Sequence, residues 1–206
     1  MIYAIVGKPG AGKSMCLTRM VRRWLNAGIN VYTNLPIDER LWTLRPKHGK
    51  LFYLQDIDEF RDVNDGIIAI DELNFYFEAR DWAKLQPEDR MKFQRHRHEQ
   101  LDIFYTVQSF QRADVVIRQL THEVWTLKNV LNLVWIINKY DAEDYERRTR
   151  PRRINHYPII HLFSKKIANA YDTHQWAKKK AHEFTPMTKM FLDKQIKKMK
   201  NKNTQT

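Results

Sequence analysis

The sequence is poor in the residues that mark several protein classes. It has one cysteine, Cys16, among 206 residues, which excludes a disulfide-stapled fold or a cysteine-rich zinc site and suits a reducing compartment. Six glycines and seven prolines are too few for a collagenous or low-complexity chain, and 43% apolar with 29% charged residues excludes a disordered one. No stretch approaches the roughly 18 consecutive apolar residues that a membrane-spanning helix needs. Met1 runs straight into an apolar segment, so no signal peptide is expected. The length is that of one domain, enough to bury roughly 70% of its unfolded surface.

Charge is what the chain has in excess. The balance of Lys and Arg over Asp and Glu is +12, which points to an anionic partner, nucleic acid or a membrane surface. The excess is local. Residues 176–206 carry nine lysines against Glu183 and Asp193, a net of +7, and residues 144–153 carry five arginines against Asp144 and Glu146, a net of +3. Only +2 is left for the other 165 residues. The expected organisation is therefore an α/β domain over 1–175, with a basic insertion at about 139–157 and a Lys-rich tail over 176–206.

Short apolar runs alternate with helical segments, the pattern of a mostly parallel sheet flanked by helices. Strands are expected at Ile2–Val6, Asn30–Thr33, Leu51–Leu54, Gly66–Ile70, Ile103–Val107, Val124–Leu127, Leu131–Ile137 and Ile159–Phe163. Helices are expected from Lys13 to about Ala27, from Pro87 to about Glu99 and over Asp114–Leu120.

Between the first strand and the first helix, Gly7-Lys8-Pro9-Gly10-Ala11-Gly12-Lys13-Ser14 matches G-x-x-x-x-G-K-[ST] in full. The glycines let backbone N–H groups turn inward on phosphate oxygens, and the helix N-terminus adds positive partial charge. Lys13 would reach the β- and γ-phosphates and Ser14 would offer its hydroxyl to Mg²⁺. With Met15 these residues form the expected cradle for ATP. The apolar strand Gly66–Ile70 ends in Asp71-Glu72, where a phosphate-loop enzyme keeps its Mg²⁺-binding carboxylate; Glu72 beside it could polarise an attacking water. Gln108, ending the strand Ile103–Val107, is a candidate sensor of the γ-phosphate.

Other patterns compete for attention. Asn138-Lys139-Tyr140-Asp141 fits N-K-x-D, a guanine-reading motif, yet Asp71-Glu72-Leu73-Asn74 lacks the D-x-x-G that a GTPase needs. Arg95-His96-Arg97-His98 has spacings of two, which do not share a helical face, so it makes a poor metal site. Arg95 and Arg97 are candidates for an arginine finger acting on a neighbouring subunit; Arg80 and Arg118 are weaker ones. Arg147, Arg148 and Arg150 would be the lid of a small-molecule kinase.

Four stretches resemble the zonular occludens toxin-like group, which includes filamentous-phage assembly ATPases and stands close to the FtsK–HerA superfamily of DNA-pumping ATPases. They are MIYAIVGKPGAGKS, IIAIDE, RHRHEQLDIFYTVQSFQRADVVIRQLTHEVW and IANAYDTHQ. The resemblance implies a P-loop NTPase of the type with an additional strand and a catalytic glutamate. It implies that Lys13 and Ser14 bind nucleotide and metal, Asp71 holds Mg²⁺, Glu72 activates water and Gln108 senses γ-phosphate. It also implies a homo-oligomeric ring that grips DNA by its backbone, with capsid or portal-vertex proteins as further partners. Assembly proteins of the group continue into a membrane-spanning segment, whereas this sequence continues into a Lys-rich tail. The leading expectation is thus a viral genome-packaging motor, in the host cytoplasm and on the virion or procapsid. A phage assembly or secretion ATPase working at a membrane through partner proteins is second.

Overall fold

A computed structural model describes residues 1–54, 58–73 and 87–171. Its centre is one sheet of eight strands: β1 (Ile2–Val6), β2 (Val31–Thr33), β3 (Leu51–Tyr53), β4 (Gly66–Ile70), β5 (Leu101–Val107), β6 (Glu123–Val130), β7 (Val134–Asp141) and β8 (Ile159–Leu162). Their spatial order is β3-β2-β4-β5-β1-β6-β7-β8. The first six in that row are parallel to their neighbours, and β7 and β8 continue the sheet antiparallel. The α/β architecture expected from the alternating pattern is the one observed.

Alternation along the strands sends side chains to two cores. On one face Ile5, Ile67, Ala69 and Phe104 pack under α1 (Lys13–Asn26), which lays down Met15, Leu17, Met20, Val21 and Leu25. On the other, Ile2, Ala4, Ile68, Ile70, Ile103 and Tyr105 meet residues such as Phe60 of α2 (Asp58–Arg61), Phe93 of α3 (Pro87–Arg95), Ile117 of α4 (Val115–Leu120) and Ala142 of α5 (Ala142–Arg147). A last short helix, α6 (Lys165–Ala168), sets Ile167 into the α1 side. Cys16 is buried there too, its thiol pushed up to about 12 by burial, so it is a core residue rather than a nucleophile.

Most elements lie within two residues of their expected bounds, and three regions depart further. Helix α3 stops at Arg95, not Glu99, because Gln100 turns left-handed (φ 54) and Leu101 N–H donates to the His96 carbonyl to start β5. The two strands expected at 124–127 and 131–137 are longer and displaced, forming a hairpin whose turn holds Leu131 and Asn132 at φ 53 and 55. A β-branched run reads as strand from either side of such a turn, so the apolar pattern alone misplaces it. Helix α5 lies where only a basic insertion was expected; Asp141 caps it by accepting from Asp144 N–H at 3.0 Å. The tail over 176–206 and Arg80 lie outside the described residues.

Close backbone contact fixes the turn after α1. Gly49 N–H donates to the Leu25 carbonyl at 2.8 Å, and a methyl group at Gly49 would stand 1.9 Å from the Ile29 carbonyl oxygen. The three nearest atoms are all Ile29 backbone, so no flexible side chain is there to give way. Gly49→Ala is expected to cost about 2–3 kcal/mol of stability, as overpacking does, read as a lower midpoint in thermal unfolding; an unchanged midpoint would show that the loop yields.

Candidate functional site

Every parallel strand next to β1 delivers its C-terminal end to the same edge of the sheet, which is where ligands bind in open α/β folds. Residues 7–12 leave β1 there and enter α1. Gly10 and Gly12 hold φ of 76 and 85, left-handed values that a side chain resists. Gly12 is also the N-cap of α1, so the helix begins at Lys13 with its free N–H groups facing the loop. Gly7 N–H donates to the Val107 carbonyl at 3.3 Å, tying the loop to β5.

The acidic pair arrives from β4. Ser14 Oγ donates to Asp71 Oδ2 at 2.8 Å, and Thr106 Oγ1 donates to Asp71 Oδ1 at 2.7 Å. The Asp71 backbone is clamped by Asn34, which accepts from its N–H at 2.7 Å and donates to its carbonyl at 2.9 Å. Burial holds the Asp71 carboxyl above its ordinary pKa; the bonds from Thr106 and Ser14 pull it back, and the Glu72 charge adds to the rise. Glu72 follows with φ 50, an uncommon conformation for a side-chain-bearing residue and a costly one. Its N–H is held by the Thr106 hydroxyl at 2.8 Å. Its Oε1 sits 3.3 Å from Lys13 Nζ, while Oε2 is buried with no hydrogen-bond partner among the described residues. Lys13, 5% exposed, also donates to the Gly7 carbonyl at 3.1 Å.

Lys13, Ser14, Asp71 and Glu72 are thus brought together, and Gln108 ends the neighbouring strand. Gln108 Oε1 accepts from Arg112 at 2.7 Å. Arg95 and Arg97 are elsewhere: they precede β5 and lie at the opposite edge of the sheet, a strand length of roughly 20 Å from the loop. Arg95 is exposed and Arg97 meets the His122 ring. Arg118 pairs with Glu146. The N-K-x-D residues fall inside β7, whose Asp141 end pairs with the start of β6 and so faces away from the phosphate loop. Lys139 lies 4.0 Å over the Trp125 ring, in the wall of a cavity of about 400 Å³ on the α1 face. A guanine-reading role for this motif is excluded by its position.

Sequence reading missed Thr106 and Asn34. Thr106 stands alone as a polar residue within the apolar run IFYTV, and that isolation was the available signal. Asn34 follows the strand VYT and carries none.

The sequence matches the zonular occludens toxin (Zot) family over residues 1–171. The chain belongs to the Zot family. Among solved structures, it is similar to the N-terminal domain of zonular occludens toxin from Neisseria meningitidis, with 17% identity, a TM-score of 0.52, and 83% of this chain and 98% of that one covered. It is also similar to the genome packaging NTPase B204 from Sulfolobus turreted icosahedral virus 2, solved with AMPPCP, at 14% identity and a TM-score of 0.52 over 78% of this chain and 98% of that one. The same NTPase in complex with ATP-gammaS gives 13% identity and a TM-score of 0.52, over 77% and 97%. No curated protein matches the sequence. At these identities the likeness establishes the P-loop NTPase fold for this Zot-family chain. No helix among the described residues is long and apolar enough to cross a membrane.

Proposed function

We propose that this Zot-family chain is an ATP-hydrolysing nucleic-acid translocase, a viral genome-packaging motor that works as a homo-oligomeric ring. The observation that carries the reading is Glu72, placed beside Asp71 and against Lys13 at the mouth of the phosphate loop. Residues 7–15 bind the triphosphate, and Lys13 exchanges its contact with Glu72 for one with the phosphates. Glu72, freed, accepts a proton from a water whose oxygen attacks the γ-phosphorus in line as the bond to the ADP oxygen breaks. Gln108, steadied by Arg112, reports the γ-phosphate.

The donor set also fits Mg²⁺: a buried carboxylate and a hydroxyl, both oxygen and adjacent, with the Asp71 carboxyl raised by the burial that a cation would offset. Ser14 and Asp71 would hold the ion, which when bound neutralises charge on the phosphates.

Two features support assembly and grip. Strand β8 and the residue after it leave Ile160, Leu162 and Phe163 exposed at the sheet edge, an apolar strip of the kind that subunit contacts cover. Arg95 and Arg97, remote from the loop of their own chain, would act as arginine fingers only on a neighbour's nucleotide. The basic residues 147–153 and the tail then hold the phosphate backbone without reading sequence. Capsid or portal-vertex proteins would dock such a ring, in the host cytoplasm and on the procapsid. The Zot family match also favours a second reading, an assembly or secretion ATPase at a membrane.

ATPase rate measured against protein concentration, with and without DNA, tests the proposal. Specific activity is expected to rise as the ring assembles and to rise further with DNA, whose affinity falls with salt. Concentration-independent turnover without DNA binding would overturn the motor reading, and liposome binding in its place would favour the second.

A further inference from the structure

The antiparallel extension does more than widen the sheet, because its first hairpin leans on the phosphate loop at two points. Asn129, near the end of β6, donates from Nδ2 to the Gly10 carbonyl at 3.2 Å. Its cross-strand partner on β7 is Trp135, which packs against Gly12. Of the atoms that a methyl group at Gly12 would meet, Trp135 Nε1 is nearest at 1.9 Å, ahead of Cδ1 at 2.5 Å. The N–H edge of the indole therefore faces the loop where α1 begins. Trp135 is 6% exposed, and its Nε1 has no acceptor among the described residues.

A buried N–H without an acceptor is costly and rare, and Trp135 belongs to the apolar core that includes Ala11, Met15, Leu127 and Ile137. Phe163 stacks beside the indole at 6.0 Å and 28° and fixes the ring. The indole nitrogen is a donor only, so the absent partner is an acceptor. The loop it faces is built to receive anionic oxygens.

We propose that the Trp135 indole N–H donates to a phosphate oxygen of the bound nucleotide, making the β6–β7 hairpin a wall of the nucleotide site. This rests on residues 7–14 being a working phosphate loop. Such a bond is charge-assisted and short, and it would couple nucleotide occupancy to the hairpin through both Trp135 and Asn129.

Trp135→Phe keeps an aromatic ring in place and removes the donor. Calorimetric titration of the full chain with ADP and with ATP, each with Mg²⁺, is expected to show roughly five- to tenfold weaker binding, with a melting temperature close to native. In the ¹⁵N-labelled native chain, one of the six tryptophan indole resonances is expected to move downfield on saturation with ADP. It is the resonance that Trp135→Phe lacks; should that variant not fold, replacing the other tryptophans one at a time assigns it. Undiminished affinity, or an unmoved Trp135 resonance in a chain that binds nucleotide, overturns the proposal and leaves the phosphate loop standing. A native chain that binds no nucleotide overturns the phosphate-loop reading, and the proposal with it.

Discussion

Replacing Glu72 by glutamine is expected to leave ATP bound at least as tightly as in the native chain while hydrolysis falls by about 100-fold or more, as loss of a general base does. The two halves of that expectation come from one geometry. Lys13 is almost fully buried and, among the described residues, meets the Gly7 carbonyl at 3.1 Å and Glu72 Oε1 at 3.3 Å. A triphosphate arriving at the loop must take the ammonium from Glu72, so the carboxylate competes with the substrate. Glutamine keeps the length and polarity of the side chain and removes the charge. Lys13 is then easier to recruit, whereas the water loses its proton acceptor.

Binding followed by calorimetry and turnover followed by phosphate release separate these effects. Near-native turnover in Glu72→Gln would remove Glu72 from the chemistry. Weaker ATP binding would show that the Lys13–Glu72 pair prepares the loop rather than competing for it. The positive φ of Glu72 bears on the same point: the chain holds this residue in a costly conformation, and Oε2 has no hydrogen-bond partner among the described residues.

How far the site was legible depended on whether its residues sit in one short segment. The phosphate loop is eight consecutive residues between a strand and a helix, and Asp71-Glu72 ends an apolar run, so local pattern was enough to name them. Thr106 and Asn34 act from other strands. Their role exists only because β5 and β2 both flank β4, a fact of sheet order that no single segment encodes. The hairpin failed for a different reason. Leu131 and Asn132 take left-handed values without a glycine, so the usual punctuation of a tight turn is missing. The apolar pattern alone makes Trp135 one more strand residue, whereas its register opposite Asn129 and its contact with Gly12 set it at the loop. Arg95 and Arg97 illustrate the converse: adjacency to the strand of Gln108 in sequence placed them at its other end in space.

Thr106→Val is expected to cost about 3–4 kcal/mol of stability and to reduce ATPase activity by more than tenfold. One hydroxyl makes two bonds: it donates to Asp71 Oδ1 at 2.7 Å and accepts from Glu72 N–H at 2.8 Å. Valine has the same shape and neither capability, so a buried carboxylate oxygen and a backbone N–H lose their partner together. Each unsatisfied group costs about 1–3 kcal/mol, more where charge is involved. The stability loss should depend on pH in a definite direction. The Asp71 carboxyl already lies above its ordinary pKa through burial, and the Thr106 bond is the largest influence drawing it down. Removing that bond raises the folded-state value further. A carboxyl whose pKa is higher in the folded than in the unfolded chain stabilises the fold while protonated and forfeits that contribution as pH rises. Denaturant unfolding should therefore find Thr106→Val closer to native stability in mild acid than at neutral pH. The acid limb of its ATPase profile should move to higher pH, since Asp71 must be ionised to hold a cation. Thr106→Ser, which restores the hydroxyl and omits the methyl group, should recover most of the activity and return the acid limb to its native position. If serine fails to restore the profile although it restores stability, Thr106 acts by packing alone, and the positioning of Asp71 and Glu72 must be sought in Asn34.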